Sequence, residues 1–151
     1  MIRRLTPDDA AALSRLLTND ALPYRQNFTP FETAPEAIAR MLGAARRDGF
    51  WGVTIDGALA GLIMLRGLDA GFDTPAFGVY VAQASSRRGL GRLAVAYAES
   101  WCRLEGCREL MLSVHADNTY AKRVYEHEGF VATGELTDRG HAIMRKRLVN
   151  P

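Results

Sequence analysis

Apolar residues recur along the chain with two periods, and the switches between them mark out its elements. A short extended piece over residues 2–4 leads to Thr6 and Pro7, which suit an N-cap and a first helical position. Ala10, Leu13, Leu16 and Leu17 then fall on one face of a helix. Residues 21–37 hold three prolines and read as a loop carrying exposed aromatics. Thr33 to Glu36 has the form of a capping box, launching a second helix through Ile38, Met41, Leu42 and Ala45.

The period then shortens. WGVTI, the Asp56-Gly57 turn and LAGLIML predict a β-hairpin whose poor alternation implies burial on both faces. PAFGVYVAQ is a further strand, with Pro75 tolerable only at its start. Helical spacing returns from Gly89 to Leu104 through Leu90, Leu93, Ala94, Tyr97 and Trp101. RELMLSVH is a strand, and a helix capped by Asn118 and stopped by Gly129 follows it. FVATGEL and HAIMRKRL are two last strands. The order βααβββαβαββ predicts a mixed α/β fold, a mostly antiparallel sheet flanked by helices. With no repeat and no linker, residues 1–151 are expected to form one domain.

Composition changes this picture little. The net charge of +2 does not call for a nucleic-acid partner. The start MIRRLTPDDA lacks an apolar signal core, and no later stretch has the ~18 uncharged apolar residues of a membrane span, so a cytoplasmic location without membrane association is expected. Cys102 and Cys107 form no CxxC pair and have no histidines at metal spacing; both read as small buried hydrophobes, and no metal is expected.

The candidate chemistry starts at SSRRGLGRL, residues 85–93, which places Gly89, Leu90 and Gly91 at the start of the long helix. Orphan N–H groups there, with the positive end of the helix dipole, make an anion site. Arg87, Arg88 and Arg92 add charge, and a pyrophosphate suits the combination. An ordinary loop with solvated arginines fits the short stretch as well. GLGRLA also satisfies the dinucleotide fingerprint G-x-G-x-x-A, with Asp117 about where a ribose-binding acid would sit. Against that reading, AQASSRR separates the strand from the first glycine, and the N-terminal half lacks the repeated βαβ layout. A second constellation follows: Asn118 stands at a strand-to-helix junction and Tyr125 seven residues on, two helical turns along one face. By themselves these are a cap and an amphipathic core residue.

Taken together, SRRGLG and the spacing Asn118, Ala121, Tyr125, Gly129, Phe130 resemble the GNAT N-acetyltransferase superfamily over nearly the whole chain. The resemblance implies an acetyl-CoA-dependent N-acetyltransferase, with the CoA pyrophosphate on Ser86, Arg87, Arg88, Gly89, Leu90, Gly91 and Arg92. Ser86 stands where the family has Arg or Gln, which should weaken the cradle without abolishing it, since backbone N–H groups carry most of it.

Acetyl transfer to an amine needs a neutral nitrogen, a stabilised oxyanion and a proton for the departing thiolate. A phenol can supply that proton, so Tyr125 is the candidate general acid, which is also the family's usual assignment. Asn118 would hold the cofactor or order a water. The main chain at Val79 and Val81 would bind pantetheine and polarise the thioester carbonyl.

The base stays open among His115, Asp69, Asp73 and Glu32, or no dedicated base. Tyr24, Phe28, Phe31, Phe72, Tyr80 and His115 are candidates for the acceptor site. The expected acceptor is a small-molecule amine met in a ternary complex. A protein N-terminal or lysine acetyltransferase and a non-catalytic acyl-CoA-binding module are the alternatives, and the resemblance also implies a homodimer.

Overall fold

The computed structural model describes residues 1–28 and 30–148. Strand β1 (Ile2–Arg4) leads through a 3-10 turn at Pro7–Asp9 into α1 (Ala10–Asn19), a short α2 (Leu22–Arg25) and α3 (Pro35–Ala44). Next come β2 (Gly49–Ile55), β3 (Ala58–Arg66), β4 (Ala76–Val81), α4 (Leu90–Leu104), β5 (Glu109–Val114), α5 (Thr119–His127), β6 (Val131–Leu136) and β7 (Ala142–Arg147). They build a sheet of order β1-β2-β3-β4-β5-β7-β6, antiparallel at every junction except β4–β5. The expected mixed α/β, mostly antiparallel fold is what forms.

Burial on both faces of the hairpin follows from strand geometry, because successive residues point to opposite sides. Trp51, Val53, Ile63, Leu65 and Phe77 pack under α4 and α5, with Ala94, Val95, Ala98 and Cys102 above them. Phe50, Leu62, Met64 and Tyr80 meet Leu13, Leu16, Leu17, Ile38 and Leu42 of α1 and α3 on the other side. Among the described residues this second core draws its sheet positions from β2, β3 and β4 alone, so the same face of β5 and β7 is left without a helix above it.

Three local expectations are corrected. The aromatic loop contains the helical turn Leu22–Arg25, with Pro23 in its first turn, where a missing N–H does no harm. Thr33 is not a cap; extended Ala34 precedes Pro35 at the helix start, and no side chain caps α3. The buried stripe of α4 runs through Ala94, Val95, Ala98, Glu99 and Cys102, leaving Leu93 exposed. Small residues let that helix sit close to the sheet, while Tyr97 and Trp101 flank it and meet Trp51 edge-on at 5.5 and 5.3 Å. Glu99 survives burial because Lys146 donates to it at 2.6 Å, and the same ammonium donates to the Glu128 carbonyl at the end of α5.

Two aspartates tie loops to the frame. Asp9 accepts from both ends of the Arg3 guanidinium, at 2.6 and 2.9 Å, and from the Thr6 N–H; chiefly through Arg3, its pKa falls to about 2. Asp69 accepts from the N–H groups of Arg46, Arg47 and Asp48, which holds it below the usual carboxylate range. Both pKa values are depressed on folding, so each contribution is complete above about pH 4 and is lost as pH falls through the folded value, which for Asp9 is about 2. Asp9→Asn should therefore lower the melting temperature at pH 7 and lose that deficit near pH 2, as thermal melts across this range would show.

Candidate active site

Ala82 donates its N–H to the Ala60 carbonyl, and the β3–β4 register continues unbroken from Gly61–Val81 to Arg66–Ala76. Alternation along that ladder turns the main chain of Ala76, Gly78 and Tyr80 towards β3, and that of Phe77, Val79 and Val81 towards β5. Strand β5 meets β4 at a single rung, Ala76–Met111, among the described residues. Past it the two parallel strands separate. Val79 and Val81 thus present main-chain groups to an open wedge, although the Val81 carbonyl already accepts from the Tyr24 hydroxyl at 2.7 Å.

Beyond the wedge the chain makes a 3-10 turn at Gln83–Ser85, which the Ser86 hydroxyl locks by donating to the Gln83 carbonyl at 2.7 Å. Arg87 (φ 61°) and Gly89 (φ 84°) both adopt left-handed backbone, unusual for arginine and free of strain for glycine. Such alternation curls successive N–H groups inward into an anion-binding concavity at the head of α4. The N–H groups from Arg87 to Arg92 have no acceptor among the described residues. A Cβ at Gly91 would meet nothing within 4 Å, so the space before it is open.

These residues wall a cleft of about 970 Å³ between α4 and α5. Ser86, Arg87, Gly89, Leu90, Gly91, Arg92, Tyr24 and Val81 line it, whereas Arg88 is exposed and lies off its wall. Arg92 also bridges to Glu128 at 3.0 Å, joining the two helices. Tyr120, Arg123 and His127 line the α5 side. The sequence reading did not single them out. Their spacing of three and four residues, one face of a helix, was the available signal.

Tyr125 reaches from α5 across to β4, its ring edge-on to Phe77 at 6.4 Å and to Phe130 at 5.8 Å. It therefore stands where β4 and β5 part. Burial pushes its pKa up to about 12, which keeps the phenol protonated at neutral pH. The hydroxyl has no partner among the described residues, yet none of their buried side-chain polar atoms is left unpaired, so the hydroxyl opens onto accessible space. Asn118 caps α5, its carbonyl oxygen accepting from the Ala121 N–H at 3.1 Å, which leaves its NH₂ group for other partners.

A second cleft, of about 1020 Å³, occupies the uncovered face of β5 and β7. Loops bearing Phe28, Phe72 and Asp73 rise on one side and the β6–β7 loop with Asp138 and His141 on the other, while Gly78, Met111 and Ser113 form the floor. Here the structure separates the aromatic candidates. Phe28 and Phe72 line this cleft, Tyr24 lines the first, and Phe31 packs against Phe50 under the Arg66 guanidinium. Tyr80 lies in the core between Tyr24 and Phe28, donating to Asp20 at 2.5 Å; burial and that carboxylate raise its pKa. His115, at the end of β5, accepts the Asp117 N–H at Nδ1 and stands beside His141. Of the other base candidates, Asp69 is occupied by three N–H groups, Glu32 is exposed and lines neither cleft, and Asp73 faces the second cleft.

The family model of the Acetyltransferase (GNAT) family matches residues 15–130. The chain belongs to the GNAT acetyltransferase family. Solved structures agree on the fold. PaiA N-acetyltransferase of Thermoplasma acidophilum, in complex with coenzyme A, is 21% identical with a TM-score of 0.80, over 97% of this chain and 98% of that one. YncA of Salmonella typhimurium, with its cofactor acetyl-CoA, is 19% identical at 0.82, over 100% and 95%. The ribosomal-protein-S18-alanine N-acetyltransferase of Escherichia coli is 21% identical at 0.74, over 100% and 95%. Comparison with curated proteins gives no match. Acetyl-CoA is the cofactor of a GNAT acetyltransferase, and the free N–H groups and arginines at the head of α4 suit its diphosphate. No helix among the described residues is long and apolar enough to cross a membrane.

Proposed function

We propose that this GNAT protein transfers the acetyl group of acetyl-CoA to a primary amine of a small molecule, directly, with donor and acceptor bound together. The observation that carries the reading is the set of N–H groups from Arg87 to Arg92, unengaged among the described residues, at a basic cleft beside the wedge between β4 and β5. When bound, the cofactor supplies an activated thioester. The Arg87–Arg92 amides with Arg87 and Arg92 would hold its diphosphate, and the main chain of Val79 and Val81 its amide-bearing arm. Tyr125 gives its phenolic proton to the leaving sulfur, and the Asn118 NH₂ group positions the cofactor or a water.

Direct transfer is favoured because neither cysteine lines a cleft, and burial raises both thiol pKa values, which disfavours a thiolate nucleophile. A small acceptor suits a second cleft of roughly ligand size, walled by loops on opposite sides. Charged lining residues such as Asp73 and Asp138 give it polar anchors for an ammonium group.

The test is release of free CoA over a panel of alkylamines, arylamines, amino-acid amides and short peptides. Turnover is expected to concentrate on small amines. Preference for peptide N-termini or peptide lysines would replace the acceptor class and keep the family chemistry.

A further inference from the structure

We infer that His141 is the general base that frees the acceptor amine for attack, with His115 as its neighbour. This rests on the acetyltransferase reading above. Strand register assembles the argument. On β5, Leu110, Leu112 and Val114 pack under α4, so Met111, Ser113 and then His115 take the opposite face, that of the second cleft. On β7 the pairing Val114–Ala142 sets His141 across from His115, and the two rings lie 5.4 Å apart. Counting from the rung Ala76–Met111 brings Val114 level with Val79 and His115 level with Tyr80, on opposite sides of the wedge. The imidazole pair therefore stands on the acceptor side of the gap that Val79 borders.

The two rings are not equivalent. Nδ1 of His115 is filled by the Asp117 N–H at 3.2 Å, whereas both ring nitrogens of His141 are unengaged among the described residues. His141 also lines the second cleft, which His115 does not. Its backbone is pinned, since its N–H donates to the Thr137 hydroxyl at 3.1 Å and its carbonyl accepts the Thr137 N–H at 2.8 Å. That is the support a positioned base needs. The titratable and charged groups around it are His115 just after β5, Asp117 beyond that, Asp138 and Arg139 on the β6–β7 loop, Arg145 on β7 paired with Glu109, and Asp73 across the cleft.

In the balanced step, a ring nitrogen of His141 takes one proton from the ammonium. The freed nitrogen lone pair forms the new C–N bond. The C–S bond breaks, and its electron pair leaves with sulfur, which takes the Tyr125 phenolic proton. The second nitrogen proton is shed to solvent, Tyr125 regains its own from solvent and the His141 imidazolium gives up the proton it took there, so both residues return to their starting forms and each turnover releases one proton.

The experiment uses the best alkylamine and the best arylamine of the panel, the first an ammonium at neutral pH and the second already neutral. His141→Gln should lower kcat/KM for the alkylamine roughly 100-fold at pH 7, a deficit that shrinks as pH approaches the amine's own pKa. The arylamine rate should stay within about threefold, and acetyl-CoA affinity should be unchanged. His141→Ala with added imidazole should recover alkylamine turnover. Equal losses for both amines, or a pH profile identical to wild type, would overturn the role of His141 and leave the acetyltransferase intact. A wild-type protein that turns over no amine would overturn both.

Discussion

Tyr125→Phe is expected to lower kcat about a thousandfold while acetyl-CoA affinity stays within about threefold of wild type. The asymmetry follows from where the ring sits. Its packing against Phe77 and Phe130 uses the aromatic faces and edges, which phenylalanine keeps, so the mouth between β4 and β5 retains its shape. Only the hydroxyl is removed, and no described residue pairs with it. The folded state therefore loses no hydrogen bond, while a thiolate leaving in that buried setting loses its proton source. Steady-state kinetics and calorimetric titration with acetyl-CoA on the same preparation check it. A non-catalytic acyl-CoA-binding module would show no turnover in either protein. Equal turnover in both would place the acid elsewhere.

Gly91→Glu should weaken acetyl-CoA binding about a thousandfold and leave the fold as stable as before. Space does not forbid the substitution, since a Cβ there touches nothing within 4 Å and Gly91 is helical. A carboxylate in the first turn of α4 is even favoured by the helix dipole, so stability should hold. The same carboxylate would face the diphosphate. Two like charges at ~4 Å in an effective dielectric of about 20 repel by about 4 kcal/mol, close to three orders of magnitude in affinity. Thermal melts should show an unchanged transition that acetyl-CoA no longer raises. Gly91→Ser, adding bulk without charge, should fall between. If Gly91→Glu binds acetyl-CoA normally, the diphosphate does not lie on this turn.

Most of the frame was legible because local signals and tertiary packing agree. Asn118 caps α5, Gly129 ends it with φ 94°, and the Asp56-Gly57 turn joins two strands that bury both faces. The misses share a cause. Thr33 and Glu36 have capping-box spacing, but extended Ala34 places the helix start one residue later, beyond the reach of Thr33. Along α4 the spacing included Ala94 but otherwise ran through large apolar residues, whereas the sheet also selected Val95, Ala98 and Cys102 because close approach favours small volume. The phosphate turn could be read because its chemistry is local. His141 could not, since it gains significance only through pairing with β5 and a cleft formed by loops distant in sequence. Tyr24 and Phe28, four residues apart, end in different clefts for the same reason.

The single rung between β4 and β5 among the described residues makes the sheet two blocks of four and three strands joined by one bridge, with α4 lying across the seam. Fewer main-chain bonds resist bending there than along the ladders on either side, and the two clefts open beside the seam on opposite faces. A ligand wedged into either cleft would press on that same bridge, and whatever factor one ligand then imposed on the affinity of the other would have to be returned in equal measure.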